Sequence, residues 1–230
     1  VMIPREWEKD LVGLQFDGVM MHTSIDVNGC KVGEHHYGYS PFYVDLTDYV
    51  TFGEENRITI NVNTGVQPSS RWYTGSGLFR GVTLCHSPRV FILPDGINVV
   101  TREVTDQIAF LEAQVEIGNE TLENHMVEVK VELRKEGEPE EKAVAEARRM
   151  IEVGKNNLET ARISIHLSDP VLWDAEKPNL YIVKATVTDQ SVFRTHSNPV
   201  PIQTVDEAQT LFGIRTITVD SVRGLRINGK

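Results

Sequence analysis

Apolar residues alternate with polar residues along much of this chain, and this period of two is the feature that most constrains its fold. The alternation is clearest over residues 58–62, 111–117, 127–133, 163–167 and 181–187. Successive side chains of a strand point to opposite faces, so each segment predicts a strand with one buried and one solvated face. Short strands of this kind, separated by turn residues, are typical of antiparallel β-sandwiches. The sequence therefore predicts the all-β fold class.

Turn residues fit this prediction, and one segment opposes it. Asn28-Gly29, Pro94-Asp95-Gly96 and Asn228-Gly229 each predict a tight turn, because glycine adopts a positive φ without strain. Residues 140–153 are rich in Ala, Glu and Arg, and their propensity alone favours a helix. Because their neighbours are strands, and tertiary context often overrides propensity, we predict a strand after a charged loop.

Composition limits the number of domains and the partners. The length of 230 residues suits one large or two modest domains, and a change of composition near Ser87-Pro88 predicts a boundary. A second change, at residues 205–209, predicts a polar connector. The formal net charge of −10 disfavours nucleic acid and anionic membranes as partners. No apolar run approaches the roughly 18 residues of a membrane span.

The start of the chain and its cysteines bear on the compartment. Residues 1–7 lack the basic and then apolar pattern of a signal peptide, and they read as the end of a strand that begins earlier. Cys30 and Cys85 are the only cysteines. Two cysteines make no disulfide scaffold, so we predict free thiols in a reducing compartment.

The stretch from Arg71 to Arg80, RWYTGSGLFR, is the most distinctive in the chain. Aromatic residues precede two glycines that flank a serine, and an arginine follows. This pattern predicts an irregular loop that presents aromatic faces and a guanidinium at the end of a strand. Aromatic faces suit the apolar faces of sugar rings, and arginine suits carboxylates and hydroxyls.

The same stretch resembles a motif of family 2 glycoside hydrolases, and further motifs of that family occur in the same order along the chain. They are LQFDGV at 14–19, VNGCKVGEH at 27–35, YSPF at 39–42, DLTDY at 45–49, NRI at 56–58, LWDAEKPNLY at 172–181, FGIR at 212–215 and LRINGK at 225–230. Each motif alone is weak, but the ordered set covers nearly the whole chain and indicates a member of this family.

The resemblance implies a domain order and a role. It implies a jelly-roll sugar-binding-type sandwich over residues 1–87, an immunoglobulin-like sandwich over 88–204, and a connector and hairpin over 205–230. In such enzymes a TIM barrel follows and supplies an acid/base and a nucleophile for a retaining mechanism. We therefore expect a non-catalytic portion, trimmed at both ends, whose first partner is its own barrel. The expected compartment is the bacterial cytoplasm, and a homo-oligomer is compatible with the resemblance.

The resemblance also selects substrate-proximal candidates, for which two readings stay open. Arg71, Trp72, Tyr73, Ser76 and Arg80 either help to shape the galactose subsite at the barrel mouth, or pack against the neighbouring domains. Several β-galactosidases of the family carry Asp directly after this arginine, where it contacts sugar and sodium, whereas this chain has Gly81. No sodium site, no other metal and no cofactor are therefore predicted for this chain; the resemblance leaves metal ions open for the whole enzyme.

Other candidate groups have structural explanations. Neighbouring residues of a strand point to opposite faces, so His35 and His36 cannot share one metal ion. His22 and His86 read as lone histidines. The spacing of Asp45 and Asp48 suits capping of a turn rather than catalysis. Trp173 is predicted at a corner of the second sandwich with its indole in the core.

Three functions remain for the chain. The first is the scaffold of a β-galactosidase, in which the sandwiches position the barrel and shape its cleft for β-galactosides. The second keeps this architecture in a β-glucuronidase or another β-glycosidase. The third is a freestanding carbohydrate-binding module that uses the loop at 71–80. Catalytic residues are predicted in none of these cases within this chain.

Overall fold

The fold is known from a computed structural model, which describes residues 1–65, 75–138, 142–191 and 204–230. Among these residues nearly all regular structure is strand; Arg5–Trp7 and Thr47–Tyr49 form single-turn 3-10 helices, and no α-helix occurs. The predicted all-β class is confirmed. The chain divides into two compact units, Val1–Arg89 and Val90–Lys230.

The first unit is built from short antiparallel strands. They are β1 (Leu11–Phe16), β2 (Val19–Met20), β3 (Thr23–Val27), β4 (Cys30–His35), β5 (Phe42–Asp45), β6 (Ile58–Val62), β7 (Gly77–Leu78) and β8 (Val82–Ser87). The strand orders are β5-β1-β8, β4-β3-β6 and β2-β7. The buried core consists of Leu14, Phe16, Val19, Ile25, Val27, Val44 and Leu46. Cys30 and Cys85 are free thiols.

The Asn28-Gly29 hairpin between β3 and β4 is confirmed, and its asparagine also anchors a distant loop. Asn28 and Gly29 have φ of 51° and 89°, a conformation that favours these two residue types. The Asn28 side chain donates to Asn56 Oδ1 at 2.8 Å and accepts from the backbone N–H of Arg57 at 3.0 Å. Asn56 is 1% exposed and bonds the backbone of Thr51 in both directions. These bonds give a structural reason for the asparagine in the motif at 27–35 and for the asparagine in the motif at 56–58.

The second unit is a sandwich of longer strands. They are β9 (Val90–Val104), β10 (Ile108–Asn119), β11 (His125–Lys135), β12 (Ala145–Val153), β13 (Asn157–Ser168), β14 (Tyr181–Asp189), β15 (Thr204–Phe212), β16 (Ile217–Asp220) and β17 (Gly224–Ile227). One sheet has the order β13-β10-β9 and the other β12-β11-β14-β15, while β16 and β17 form a hairpin. Alternate residues of β10, β11, β13 and β14 fill the core, as the period of two predicts.

The segment with helical propensity forms a strand from residue 145 onward, and residues 142–144 before it are not strand. Ala145–Val153 pairs with β11 in antiparallel register, from Leu133↔Ala145 to His125↔Val153. Ala145, Ala147, Ile151 and Val153 pack against the core at alternate positions, and the alternation is interrupted at Arg149 and Met150, which are both exposed. The strand prediction is confirmed for these residues; residues 140 and 141 lie outside the described part of the chain.

Two local predictions for the second unit are wrong. Residues 205–209 are not a connector, because Thr204–Phe212 is an edge strand that pairs with β14 from Thr188↔Thr204 to Tyr181↔Phe212. The Asp206 carboxylate additionally accepts the backbone N–H of Ile92 at 2.7 Å. This polar side chain therefore joins β15 to β9 of the other sheet. Pro94-Asp95-Gly96 does not end a strand either. It forms a bulge within β9, with Asp95 at a φ of 56°.

Trp173 lies at a corner, as predicted, but its indole is only half-buried. Its ring covers Gly213, where an added Cβ would lie 2.8 Å from Trp173 Cγ. The Arg215 guanidinium carbon lies 5.0 Å from the ring centroid, a cation–π distance. Asn228 Nδ2 donates to the Trp173 carbonyl at 2.9 Å. The indole therefore joins the corner to the Phe212–Arg215 motif instead of filling the core.

Candidate functional site

The distinctive loop is described only at its second half. Arg71, Trp72 and Tyr73 lie outside the described residues, whereas Ser76 and Arg80 are both exposed. Ser76 directly precedes β7, which pairs with β2 through Val19↔Leu78 and Met20↔Gly77. Gly77 has a φ of 85°, a conformation that only glycine adopts readily. This pairing fixes where the loop rejoins the sheet.

Arg80 contacts Asp17 and Phe79 and passes close to Gly18. Its Nη1 donates to the Asp17 carbonyl at 3.3 Å, and its guanidinium carbon lies 5.2 Å from the Phe79 ring centroid. Both side chains pass close to Gly18, where an added Cβ would lie 3.0 Å from Phe79 Cζ and 3.1 Å from Arg80 Cδ. Glycine at position 18 therefore permits this arrangement of an aromatic ring and an exposed cation.

Three exposed aromatic residues, Tyr37, Tyr39 and Phe79, form what we call the aromatic ridge. Their exposed fractions are 61%, 48% and 42%. The Tyr39 ring centroid lies 5.9 Å from that of Tyr37 and 6.3 Å from that of Phe79, in edge-to-face arrangements. Such pairs are mutually attractive, so the rings support one another without being buried. The ridge thus places aromatic surface beside the exposed Arg80.

A stack of three rings, of which Phe16 is buried and the other two are partly buried, holds the ridge in position. Phe42 lies between Phe16 and His35, with ring centroids 4.6 Å and 4.2 Å away. The His35 Nε2 is also 3.1 Å from the hydroxyl of Ser40. These contacts anchor both ends of the segment that carries Tyr37 and Tyr39. The YSPF motif is therefore a structural support for exposed aromatic rings.

This arrangement has a definite chemical capacity. Exposed aromatic faces can pack on the apolar faces of a pyranose ring, or on an apolar surface of another domain. Tyrosine hydroxyls and the guanidinium of Arg80 can hydrogen-bond to hydroxyl or carboxylate groups. The ridge offers no nucleophile with an adjacent base. It therefore suits recognition rather than bond cleavage.

The other candidate groups have identifiable partners. Asp45 Oδ1 accepts the backbone N–H of Thr47 at 2.9 Å and its hydroxyl at 2.6 Å, so the predicted capping role of Asp45 is confirmed. His86 stacks on Trp7 with centroids 4.0 Å apart and bonds Asp10 at 2.9 Å. His22 is not a lone residue, because its Nδ1 lies 3.4 Å from that of His36.

Two absences can be stated for the described part of the chain. In the ranges 1–65, 75–138, 142–191 and 204–230, no group of three or more His, Cys, Asp or Glu side chains could hold a metal ion. Within the same ranges, no helix has the length and apolar character needed to cross a membrane.

Sequence reasoning missed the residues of the ridge. Tyr37, Tyr39 and Phe79 were not selected as substrate-proximal candidates, although all three are aromatic residues within or beside a motif. The sequence offered only the pattern Tyr37-Gly38-Tyr39 as a signal; the structure shows why a glycine is needed there, because an added Cβ at Gly38 would lie 2.5 Å from the sulfur of Met20. Glycine there lets the segment pack closely on β2, so the flanking tyrosines project outward.

Family models match both units. Residues 1–88 match the model for the sugar binding domain of glycosyl hydrolases family 2, and residues 95–215 match the model for glycosyl hydrolases family 2. The chain therefore belongs to glycoside hydrolase family 2, as its ordered motifs predicted. The described residues hold sandwich domains of this family, and no (β/α) barrel is among them.

Relatives of more than one activity are similar to this chain. The β-galactosidase BoGH2A of Bacteroides ovatus is 31% identical over 94% of the chain and 24% of that protein. A β-glucuronidase of Bacteroides fragilis is 27% identical over 98% of the chain and 32% of that protein. A crystal structure of a family 2 member from Bacteroides cellulosilyticus covers 100% of the chain with a TM-score of 0.88 and 26% identity. The chain spans 30% of that solved protein, so it matches only a part of these relatives.

Proposed function

We propose that this chain supplies the non-catalytic sandwich domains of a retaining β-glycosidase, and that the sandwiches position a catalytic barrel and help to wall its substrate cleft. The consecutive matches to both sandwich models of the family support the architecture. In a retaining glycosidase the acid/base and the nucleophile are two carboxyl groups that flank the scissile bond. The proposal assigns both groups to the barrel.

The aromatic ridge is the observation that supports a substrate-facing role for these sandwiches. Tyr37, Tyr39 and Phe79 keep between 42% and 61% of their surface exposed, although large aromatic residues are usually buried. Arg80 lies beside Phe79 of the ridge, and Arg71, Trp72, Tyr73 and Ser76 belong to the same stretch of sequence. We assign these residues a role near the substrate, without direct participation in bond cleavage.

The substrate we propose is a terminal β-galactoside. The support is the similarity to a β-galactosidase at 31% identity, together with the aromatic and arginine residues of the loop. A β-glucuronide is the alternative, because relatives named β-glucuronidase match nearly the whole chain and because an arginine also suits a carboxylate. We further propose a boundary between the sandwiches at residues 87 and 88.

The test is to substitute ridge residues in the whole enzyme. Tyr39→Ala and Phe79→Ala should raise KM for an aryl β-galactoside by roughly 2- to 10-fold, since one aromatic contact contributes about 0.5–1.5 kcal/mol. The value of kcat should change little. Tyr49→Ala is the matched control, because Tyr49 is 44% exposed and lies outside the ridge. Unchanged kinetics in both ridge variants would contradict a substrate-facing role.

A further inference from the structure

Two histidines of the first unit lie close together just beyond the paired ends of strands β3 and β4. Strands β3 and β4 are antiparallel, and their last registered pair is Thr23↔His35. His22 and His36 are the next residues beyond this pair, just outside both strands, and a φ of 45° takes His22 out of strand conformation. Their Nδ1 atoms are 3.4 Å apart, and the ring planes are tilted by 49°. The two nitrogen edges therefore meet, while the rings do not stack.

We propose that His22 and His36 bind a divalent transition-metal ion of the Cu²⁺, Ni²⁺ or Zn²⁺ type through their Nδ1 atoms, with water completing the coordination. Two nitrogen ligands at 2.0–2.1 Å from a tetrahedral ion are roughly 3.3–3.4 Å apart. The observed separation of 3.4 Å matches this distance, and an ion would take the place of the proton that one Nδ1 donates to the other in the metal-free pair. Imidazole is a preferred ligand of these metals.

The surroundings of His36 favour the tautomer that metal binding requires. Glu34 Oε1 lies 3.6 Å from His36 Nε2, so the carboxylate attracts a proton to Nε2. With the proton on Nε2, the lone pair of Nδ1 is free to coordinate, as in the carboxylate–histidine–metal arrangements of known sites.

The backbone around His22 is also fixed. His22 has a φ of 45°, which is uncommon for a residue with a side chain, and its carbonyl accepts the backbone N–H of Asn63 at 3.2 Å. Residues held in such conformations cluster at functional sites. His35, in contrast, is engaged with Ser40 and Phe42. The proposed site thus uses His22 and His36, which are 14 positions apart, and does not include His35. It does not depend on the proposed glycosidase function.

The experiment is a metal titration of the tag-free chain by calorimetry. We expect one ion per chain, with Cu²⁺ bound more tightly than Ni²⁺ or Zn²⁺, and no binding of Mg²⁺, which prefers oxygen ligands. His22→Gln and His36→Gln should each weaken Cu²⁺ binding at least tenfold. His166→Gln is the matched control, because His166 is exposed and lies in the second unit. The His166→Gln variant should bind Cu²⁺ with the same affinity as the unchanged chain.

A spectroscopic measurement keeps the proposal testable if a variant folds poorly. At one equivalent of Cu²⁺, the electron paramagnetic resonance spectrum of the unchanged chain should show two coordinated imidazole nitrogens. Either of two results would overturn the proposal. One is a spectrum without imidazole nitrogens; the other is equal Cu²⁺ affinity in the His22, His36 and His166 variants.

Discussion

Replacing Asn119 should destabilise the second unit more than its size suggests. Asn119 is the last residue of β10 and is 1% exposed. Its Nδ2 lies 2.8, 3.2 and 3.0 Å from the carbonyls of Glu123, Val153 and Gly154. Its Oδ1 accepts the backbone N–H and the hydroxyl of Thr121 at 2.8 and 2.7 Å. One side chain therefore joins the β10–β11 connection to the end of β12.

The expected magnitude follows from these bonds. A lost hydrogen bond costs about 1 kcal/mol, and a buried group left without a partner costs about 1–3 kcal/mol. Thr121 and Glu123 lie nearer solvent and can bond water, whereas Val153 is buried. Asn119→Ala should therefore lower the free energy of unfolding by about 3 kcal/mol. Asn119→Asp should be worse at pH 7, because it sets a carboxylate against three carbonyl oxygens.

Urea unfolding followed by tryptophan fluorescence measures this difference. A loss of 3 kcal/mol shifts the midpoint by roughly 1–3 M, given slopes of about 1–3 kcal/mol/M. The control is Asn157→Ala, because Asn157 is exposed and makes a weak bond of 3.4 Å to Glu159. It should change stability by less than about 0.5 kcal/mol. If Asn119→Asp were as stable as Asn119→Ala at pH 7, the donor role assigned to Nδ2 would be refuted.

Three further changes test other contacts. Gly213→Ala should lower the thermal midpoint, because the new Cβ would lie 2.8 Å from Trp173 Cγ. Tyr181→Phe should cost about 1 kcal/mol in urea unfolding, because the hydroxyl of this 1% exposed residue accepts a backbone N–H at 2.9 Å. Asp189→Asn should destabilise the chain at pH 7, since Asp189 bonds His125 at 2.7 Å. Burial raises the pKa of Asp189, but hydrogen bonds from the backbone N–H of Ser191 and from His125 outweigh burial and hold this pKa below 3.8. A carboxylate with a lowered pKa stabilises the fold above pH 3.8 and loses this effect as the pH falls further. The difference in unfolding free energy between Asp189→Asn and the unchanged chain should therefore shrink below pH 3.8.

Each of these changes has a matched control. Gly75→Ala adds a Cβ with no atom within 4 Å and without a positive φ, so it should leave the midpoint unchanged. Tyr37→Phe alters a hydroxyl on a 61% exposed ring and should be neutral. Asp106→Asn alters an exposed carboxylate and should leave the free energy of unfolding at pH 7 unchanged. A control that matched its test variant would contradict the contact in question.

The sequence predicted most strands because burial on one face imposes a period of two. Residues 127–133 illustrate this, since Val127, Val129, Val131 and Leu133 are all buried. Residues 145–153 form a strand despite their helical propensity, and they keep this period except at Arg149 and Met150. The prediction of a connector at 205–209 failed for two reasons. The edge strand at this position buries little side-chain surface, and the polar residue Asp206 accepts a hydrogen bond from a backbone N–H.

The candidate site was predictable only in part. The loop from Arg71 to Arg80 could be selected because glycines, aromatic residues and an arginine together are uncommon. The contribution of Tyr37 depends on how closely Gly38 packs on β2, which the sequence alone does not show. The His22–His36 pair depends on strand register, which places residues far apart in sequence opposite each other.

The most direct test of the central claim is turnover of nitrophenyl galactoside, glucuronide, glucoside and mannoside by this purified chain and by the whole enzyme. The account predicts hydrolysis by the whole enzyme, with the β-galactoside preferred, and no hydrolysis of any substrate by this chain. Hydrolysis by this chain that survived repurification and was lost on substitution of one of its own residues would contradict it.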